Sequence, residues 1–296
     1  MTTQQHYKSN LRDVSFNLFE FWKVQENVLG KGPFAGMDED TAQDVLSAYR
    51  SFCAQEMASS FVEGDRTPLE LSEDGEVRLP KGILESLRKY YDAQWNLIEQ
   101  PQSLGGYGAP KAIQWACFEF LAGANPAIAF YLLGNFIGKL LHEIGTESQK
   151  VRYVDGLVNR QWGATMVLTE PGAGSDVGAG RTKARHLEGD VWEINGVKRF
   201  ITNGDFDGTE NIVHMVLARP EGAEVGTKGL SLFIVPKYWV NEDGSLGERN
   251  GAYASNIEDK MGLKASATCE MTFGERKQCR GLLVGEVHDG IRQMFN

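Results

Sequence analysis

The sequence is poor in everything that would mark a secreted, metal-binding or nucleic-acid-binding protein. Its 296 residues hold four cysteines, Cys53, Cys117, Cys269 and Cys279, with no Cys-x-x-Cys pair. That pattern offers neither a disulfide framework nor a thiolate metal site, and it predicts buried free thiols in a reducing compartment. The five histidines are scattered without ligand spacing, so no metal is expected. Forty acidic residues outnumber thirty basic ones, and the net charge of −10 disfavours a nucleic-acid or anionic-membrane surface. The first residues are polar, without the apolar core of a signal peptide. No apolar run is read as long enough to span a bilayer, so a cytoplasmic chain is expected. There is no internal repeat and no low-complexity segment.

What is present is ordinary core-forming material, 42% hydrophobic and 24% charged, in a chain long enough for one to two domains. The first half reads as helical. Leu11, Val14, Leu18, Phe21, Trp22, Val24 and Leu29 predict a docked helix ending near Gly30. An amphipathic run through Val45, Leu46, Tyr49, Phe52, Cys53, Met57 and Phe61 predicts a longer one. Residues 64–78 read as an exposed loop, and Pro80 opens another helix carrying Ile83, Leu84, Leu87, Tyr90 and Tyr91. Two apolar helices follow, over about 111–123 and 125–145. The second is apolar almost all round and is expected to be buried, with Gly134 and Gly138 permitting close packing. A short helix over 147–158 completes the set.

After Trp162 the period changes to alternation, with strands expected over 211–219, 229–236 and 269–273. Asn195-Gly196 reads as a hairpin turn between short strands. Residues 222–228 and 241–255 read as polar loops, and from Gly285 the chain enters another helix. Helices first and strands second argue for an α+β protein with segregated layers rather than a doubly wound sheet.

The chemistry concentrates in Met166-Val167-Leu168-Thr169-Glu170-Pro171-Gly172-Ala173-Gly174-Ser175-Asp176-Val177-Gly178. A strand runs into Pro171, which cannot continue a ladder, and the glycines then let the backbone approach a ligand closely. Such a loop can cradle a polar or phosphorylated cofactor, with Thr169, Ser175 and backbone N–H groups lining it. The spacing of Gly172, Gly174 and Gly178 is one residue too long for the dinucleotide fingerprint, and a strand rather than a helix follows. Gly226-Thr227-Lys228 only superficially resembles a phosphate loop. Taken alone, the stretch also fits a glycine-rich turn between strands.

It does not stand alone. Gly145-Thr146-Glu147-Ser148-Gln149-Lys150 lies upstream, and Lys198-Arg199-Phe200-Ile201-Thr202-Asn203-Gly204 downstream. Lys228-Gly229-Leu230-Ser231-Leu232-Phe233-Ile234-Val235-Pro236 and Lys260-Met261-Gly262 follow in order. With Thr-Glu-Pro-Gly-x-Gly-Ser-Asp as the most specific segment, the sequence resembles the acyl-CoA dehydrogenase flavoproteins from about Leu104-Gly105-Gly106-Tyr107-Gly108 onward. The opening Tyr7-Lys8-Ser9-Asn10-Leu11-Arg12-Asp13 resembles the N-terminal extension of longer bacterial members.

The resemblance implies an extension over 1–36, a helical domain over 37–161 and a middle β domain, barrel- or sandwich-like, over 162–283. Residues 284–296 would begin a C-terminal four-helix bundle that this chain lacks. The implied reaction is α,β-dehydrogenation of an acyl-CoA thioester to the trans-2-enoyl-CoA, with FAD taking the β-hydrogen as hydride. By position, Met166, Leu168 and Thr169 would contact the pyrimidine edge of the flavin. Phe200 and Thr202 would flank it, with the Thr202 hydroxyl towards N5. Gly174 and Ser175 would meet the pantetheine arm of CoA. Phe200 stands where shorter members commonly carry tryptophan, so an indole donor is missing. Glu170 and Asp176 read as turn-organising or salt-bridged rather than catalytic. The family's glutamate base has no counterpart here, so no catalytic residue is nominated. The implied partners are acyl-CoA, an electron-transfer flavoprotein, the C-terminal half of the same enzyme and further copies in a homo-oligomer. An acyl-CoA oxidase and a non-catalytic flavin- or acyl-CoA-binding subunit remain open alternatives.

Overall fold

The computed structural model describes residues 6–295. They fall into two compact units. The first takes the chain up to Pro68 together with Pro80–Phe130, and the second takes Leu69–Leu79 and Tyr131 onward.

The first unit is helical, and its longest element follows the amphipathic run. Asp38 caps the helix Glu39–Phe52 by accepting the Thr41 N–H at 2.8 Å. The chain then widens into a π-helical turn over Cys53–Met57 and tightens into a 3-10 turn over Ala58–Ser60 before Phe61–Arg66. Leu46, Tyr49, Cys53 and Met57 are buried along it. Ile83, Leu87 and Tyr90 of helix Lys81–Asp92, and Ile113, Cys117, Phe120 and Leu121 of helix Lys111–Ala124, complete that core. Tyr49 and Tyr90 satisfy each other's buried hydroxyls at 3.0 Å.

The expected single helix ending near Gly30 is instead broken. Leu11–Ser15 passes into a π-helical stretch Phe16–Phe21, and Lys23 turns left-handed (φ 49°) before Val24–Asn27. Val14, Leu18 and Phe19 are buried, whereas Phe16, Phe21 and Trp22 face outward. The irregular three- and four-residue spacing reflects this change of helical pitch.

The second unit is built on strands, numbered here in chain order: β1 Glu70–Leu71, β2 Val77–Arg78, β3 Gly163–Val167, β4 Lys183–Glu188, β5 Val191–Thr202, β6 Ile212–Pro220, β7 Ser231–Pro236, β8 Tyr238–Val240, β9 Leu246–Arg249, β10 Ala252–Ile257, β11 Thr268–Phe273 and β12 Arg280–Leu283. The small hairpin β1–β2 occupies part of the stretch 64–78 expected to be loop. Pairings β4–β5, β5–β12, β12–β7, β7–β6 and β6–β4 close a ring, so the sheet is barrel-like, as expected. β11 and β10 continue from β5, and β3 runs parallel to β6 as a terminal strand. β6 and β7 are buried nearly throughout, which is why they read as continuous apolar runs.

Three expectations fail for physical reasons. Asn195-Gly196 is not a turn but the middle of β5, and the chain reverses at Gly189 (φ +54°) between β4 and β5. Glycine is needed at 196 because a Cβ there would lie 2.4 Å from the Thr182 hydroxyl oxygen. Residues 241–255 are not merely a loop, since they supply β9 and the start of β10. By length and composition Pro126–Ile144 does qualify as a candidate membrane span, 19 residues with mean hydropathy 1.2, contrary to expectation. Half of that window is buried, as in the core helix of a folded protein, while Phe130 and Phe136 stay exposed. Its glycines do permit close packing. A Cβ at Gly134 would meet the Trp162 carbonyl oxygen at 2.1 Å, and one at Gly138 would crowd Val158 and Leu157. The helix Gly290–Met294 appears where a new helix was expected. The four cysteines are all free and buried, and burial pushes the Cys117 and Cys269 thiols up to about 12.

Candidate functional site

The glycine-rich stretch leaves the end of β3 on the edge of the second unit's sheet. Gly163 donates its N–H to Asn211 O on the β6 side at 2.9 Å. Backbone groups alternate along a strand, so those of Met166, and of Leu168 just beyond β3, face away from β6. Among the described residues, neither the Leu168 N–H nor the Thr169 N–H has a protein acceptor. The hydroxyls of Thr169 and Thr202 likewise bond no protein group, and all of these residues are half-buried.

β5 is brought against this edge by the Arg199 N–H, which donates to Thr169 O at 2.9 Å. At that point β5 carries a bulge. Ile201 pairs with Cys269 and Lys198 with Met271, so Arg199 and Phe200 together oppose one residue of β11. Phe200 adopts φ 60°, a left-handed conformation costly for an aromatic residue, and its ring is 57% exposed. The Arg199 guanidinium lies 5.3 Å from the centre of that ring and bonds Glu258 at 2.9 Å. Thr202 pairs with Thr268, and Asn203 (φ 59°) donates to Ala267 O at 2.7 Å. The fold thus gathers Met166, Leu168, Thr169, Phe200 and Thr202 at one strand end, although they lie over 30 positions apart in the chain.

The loop past Thr169 is pinned from inside. Glu170 and Lys198 form an ion pair at 2.9 Å with 7% and 2% of their side chains exposed. Glu170 also accepts the N–H groups of Arg181 at 2.5 Å and Thr182 at 2.9 Å. Burial on its own would raise Glu170, but the Lys198 ammonium and these N–H groups hold its carboxyl below the usual range. Burial draws Lys198 downward, and Glu170 opposes it. Glu170 is therefore salt-bridged and turn-organising, as its sequence context suggested. Asp176 is exposed at the far end of the loop.

The glycines of the loop divide by what surrounds them. A Cβ at Gly178 would sit 2.9–3.0 Å from the backbone of Gly226 and Thr227, so that glycine serves internal packing. At Gly172 a Cβ would meet nothing within 4 Å, and at Gly174 only the Thr169 methyl at 4.0 Å. Those two face open space, Ser175 is exposed beside them, and the N–H groups of Gly174 and Ser175 have no protein acceptor among the described residues. A row of uncommitted N–H and O–H donors fits the acceptor-rich pyrimidine edge and N5 of an isoalloxazine. The clearance at Gly172 and Gly174 suits an extended ligand arm.

Sequence reasoning missed two supports. Lys198 falls on the inward side of β5 with Ile194, and an inward lysine in a strand signals a buried partner. The Tyr131 hydroxyl donates to Ala265 O at 2.7 Å and accepts the Ala267 N–H at 2.8 Å, steadying the segment that holds Asn203. No local signal in the sequence announces that role. Trp162 is fully buried. Its ring packs on Gly156, where a Cβ would come within 2.3 Å of it.

Comparison with known proteins bears on the same residues. Residues 39–161 match the acyl-CoA dehydrogenase N-terminal domain and residues 165–275 the acyl-CoA dehydrogenase middle domain. The chain is 50% identical over 294 residues to the broad-specificity linear acyl-CoA dehydrogenase FadE5 of Mycobacterium tuberculosis, covering 98% of this chain and 48% of that protein. It is 36% identical over 290 residues to 3-methylmercaptopropionyl-CoA dehydrogenase of Ruegeria pomeroyi, with the same coverage of 98% and 48%. It thus spans about half the length of these curated relatives. Among solved structures, an acyl-CoA dehydrogenase from Bacillus anthracis in complex with FAD superposes with TM-score 0.67 at 25% identity, over 87% of this chain and 40% of that one.

Proposed function

Because this chain belongs to the acyl-CoA dehydrogenase family, we propose that it supplies the flavin-edge and pantetheine contacts of an enzyme that converts acyl-CoA thioesters to trans-2-enoyl-CoA. The observation that carries this is the cluster of uncommitted donors on Leu168, Thr169 and Thr202 beside the outward, strained Phe200. When bound, FAD supplies the hydride acceptor. The Leu168 and Thr169 N–H groups and the Thr169 hydroxyl orient its pyrimidine edge and favour the charge that collects there on reduction. Thr202 donates towards N5, and the Phe200 ring walls the flavin. Gly174 lets the pantetheine arm pass close to the backbone, and Ser175 bonds it.

Glu170 is committed to Lys198 and two backbone donors and is not the base; removal of the α-proton by a carboxylate outside residues 1–296 is what the family resemblance implies. Linear acyl-CoAs are the first substrates to try, given the relative that is 50% identical. An electron-transfer flavoprotein is the proposed oxidant, and the complete enzyme the proposed homo-oligomer.

Anaerobic mixing with acyl-CoAs of several lengths, followed by flavin absorbance, tests the reading. The protein from its complete gene bleaches rapidly, while residues 1–296 alone hold FAD weakly and do not bleach. Losing a general base costs roughly 10²–10⁴ in rate. Rapid bleaching by residues 1–296 would assign the base to this chain and overturn the division of roles.

A further inference from the structure

We propose that Lys198 is a positioning residue for the flavin, acting through the Leu168–Thr169 peptide without touching the cofactor. The inference rests on the flavin reading above. The Lys198 Nζ donates to Leu168 O at 2.8 Å while paired with Glu170 at 2.9 Å. Leu168 O and the Thr169 N–H are the two ends of one peptide group. A charged donor on the oxygen polarises that peptide and strengthens its N–H as a donor. That N–H has no acceptor among the described residues, and Thr169 is one of the residues proposed above to meet the flavin edge.

The next residue along β5 completes the clamp, because the Arg199 N–H holds Thr169 O at 2.9 Å. Residues 198 and 199 therefore fix both carbonyls flanking the Thr169 N–H, one by side chain and one by backbone. A backbone N–H or a water could satisfy a strand-end carbonyl at far less expense than a lysine with 2% exposure. Glu170 makes that burial tolerable and keeps the amine directed at Leu168. Negative charge gathers at the pyrimidine edge on reduction, so a stronger Thr169 donor favours reduced over oxidised flavin. Lys198 thereby raises both FAD affinity and midpoint potential.

The test uses FAD-loaded protein from the complete gene and compares wild type with Glu170→Gln, Lys198→Gln/Glu170→Gln and Lys198→Met/Glu170→Gln. Glu170→Gln keeps one side-chain oxygen, which can accept the Arg181 or the Thr182 N–H but not both in their present places, and it leaves the lysine within reach of Leu168 without its counter-charge. The Met double variant removes the donor without stranding a buried charge. Midpoint potentials are read by dye equilibration and FAD affinity by fluorescence. The Met double variant is expected to lose about tenfold in preference for reduced flavin, about 30 mV for a two-electron couple. Glu170→Gln, whose uncharged amine can still donate to Leu168 O, is expected to lose only part of that preference, and the Gln double variant falls between. Equal losses in Glu170→Gln and the Met double variant would reduce the pair to a structural brace and overturn the proposal. So would an unchanged potential in the Met double variant. Should that variant fail to fold, the Gln double variant against Glu170→Gln decides on the same criteria. A wild-type protein that takes up no FAD would instead sink the flavin reading itself, and this inference with it.

Discussion

Replacing His214 by asparagine isolates one titrating group inside the β domain. His214 lies on β6 with 1% of its surface exposed, and its Nδ1 sits 2.9 Å from the Thr165 hydroxyl on the neighbouring strand. Burial pushes its pKa down to about 3 from 6.5, and the positive charges of Arg249 and Lys237 add to the shift. The unfolded chain therefore takes up a proton near pH 6.5 that the folded protein refuses until about pH 3. The stability this group contributes is complete above pH 6.5 and is lost as pH falls through the window below it. The slope is about 1.4 kcal/mol per pH unit, so lowering the pH from 8 to 5 should cost about 2 kcal/mol through this residue. Asparagine preserves a polar atom for Thr165 but cannot titrate. His214→Asn is expected to be less stable at pH 8 by about 1–3 kcal/mol for the lost ring. It should nonetheless lose about 2 kcal/mol less than wild type on going to pH 5. Urea unfolding of both proteins at both pH values gives the double difference, and shared groups such as the buried Asp205 cancel in it. Equal losses in the two proteins would refute the reasoning, because His214 would then be free to protonate in the fold.

Three further outcomes are expected. Thr202→Val should slow flavin reduction by one hydrogen bond's worth, about 1–3 kcal/mol, and Thr202→Ser should restore it; equal stopped-flow rates for all three proteins would remove Thr202 from the site. Gly178→Ala should destabilise by about 1–3 kcal/mol, because its Cβ would press on the backbone of Gly226 and Thr227, whereas Gly174→Ala should leave the melting temperature alone and weaken acyl-CoA binding. Phe200→Gly removes a ring that is more than half exposed and relieves a left-handed backbone, so thermal melts of the apoprotein should show no loss of stability while FAD affinity falls.

The sequence by itself determined whatever depends on neighbours close along the chain. Asp38 before an amphipathic run, Thr146 and Gln149 forming a capping box, and Pro80 ahead of Lys81–Asp92 each set a helix through contacts within one turn. The change from helical period to alternation after Trp162 marked the α+β order, and the Thr-Glu-Pro-Gly core marked the site. Only the tertiary structure decided features that join distant positions. Asn195-Gly196 has the composition of a turn, yet Thr182 crosses it closely and keeps it in β5. The pitch changes at Phe16–Phe21 and Cys53–Met57 cannot be read from apolar spacing alone. Lys198 was missed as a support, because its partners Leu168 and Glu170 lie 30 and 28 positions earlier and meet it only once β3 and β5 stand side by side. Phe200 reads as an ordinary aromatic until the bulge against β11 turns its backbone left-handed and its ring outward. Local codes fix elements because their energies are settled within a turn or a strand. The site waits on register, because its donors come from strand ends that share no local sequence.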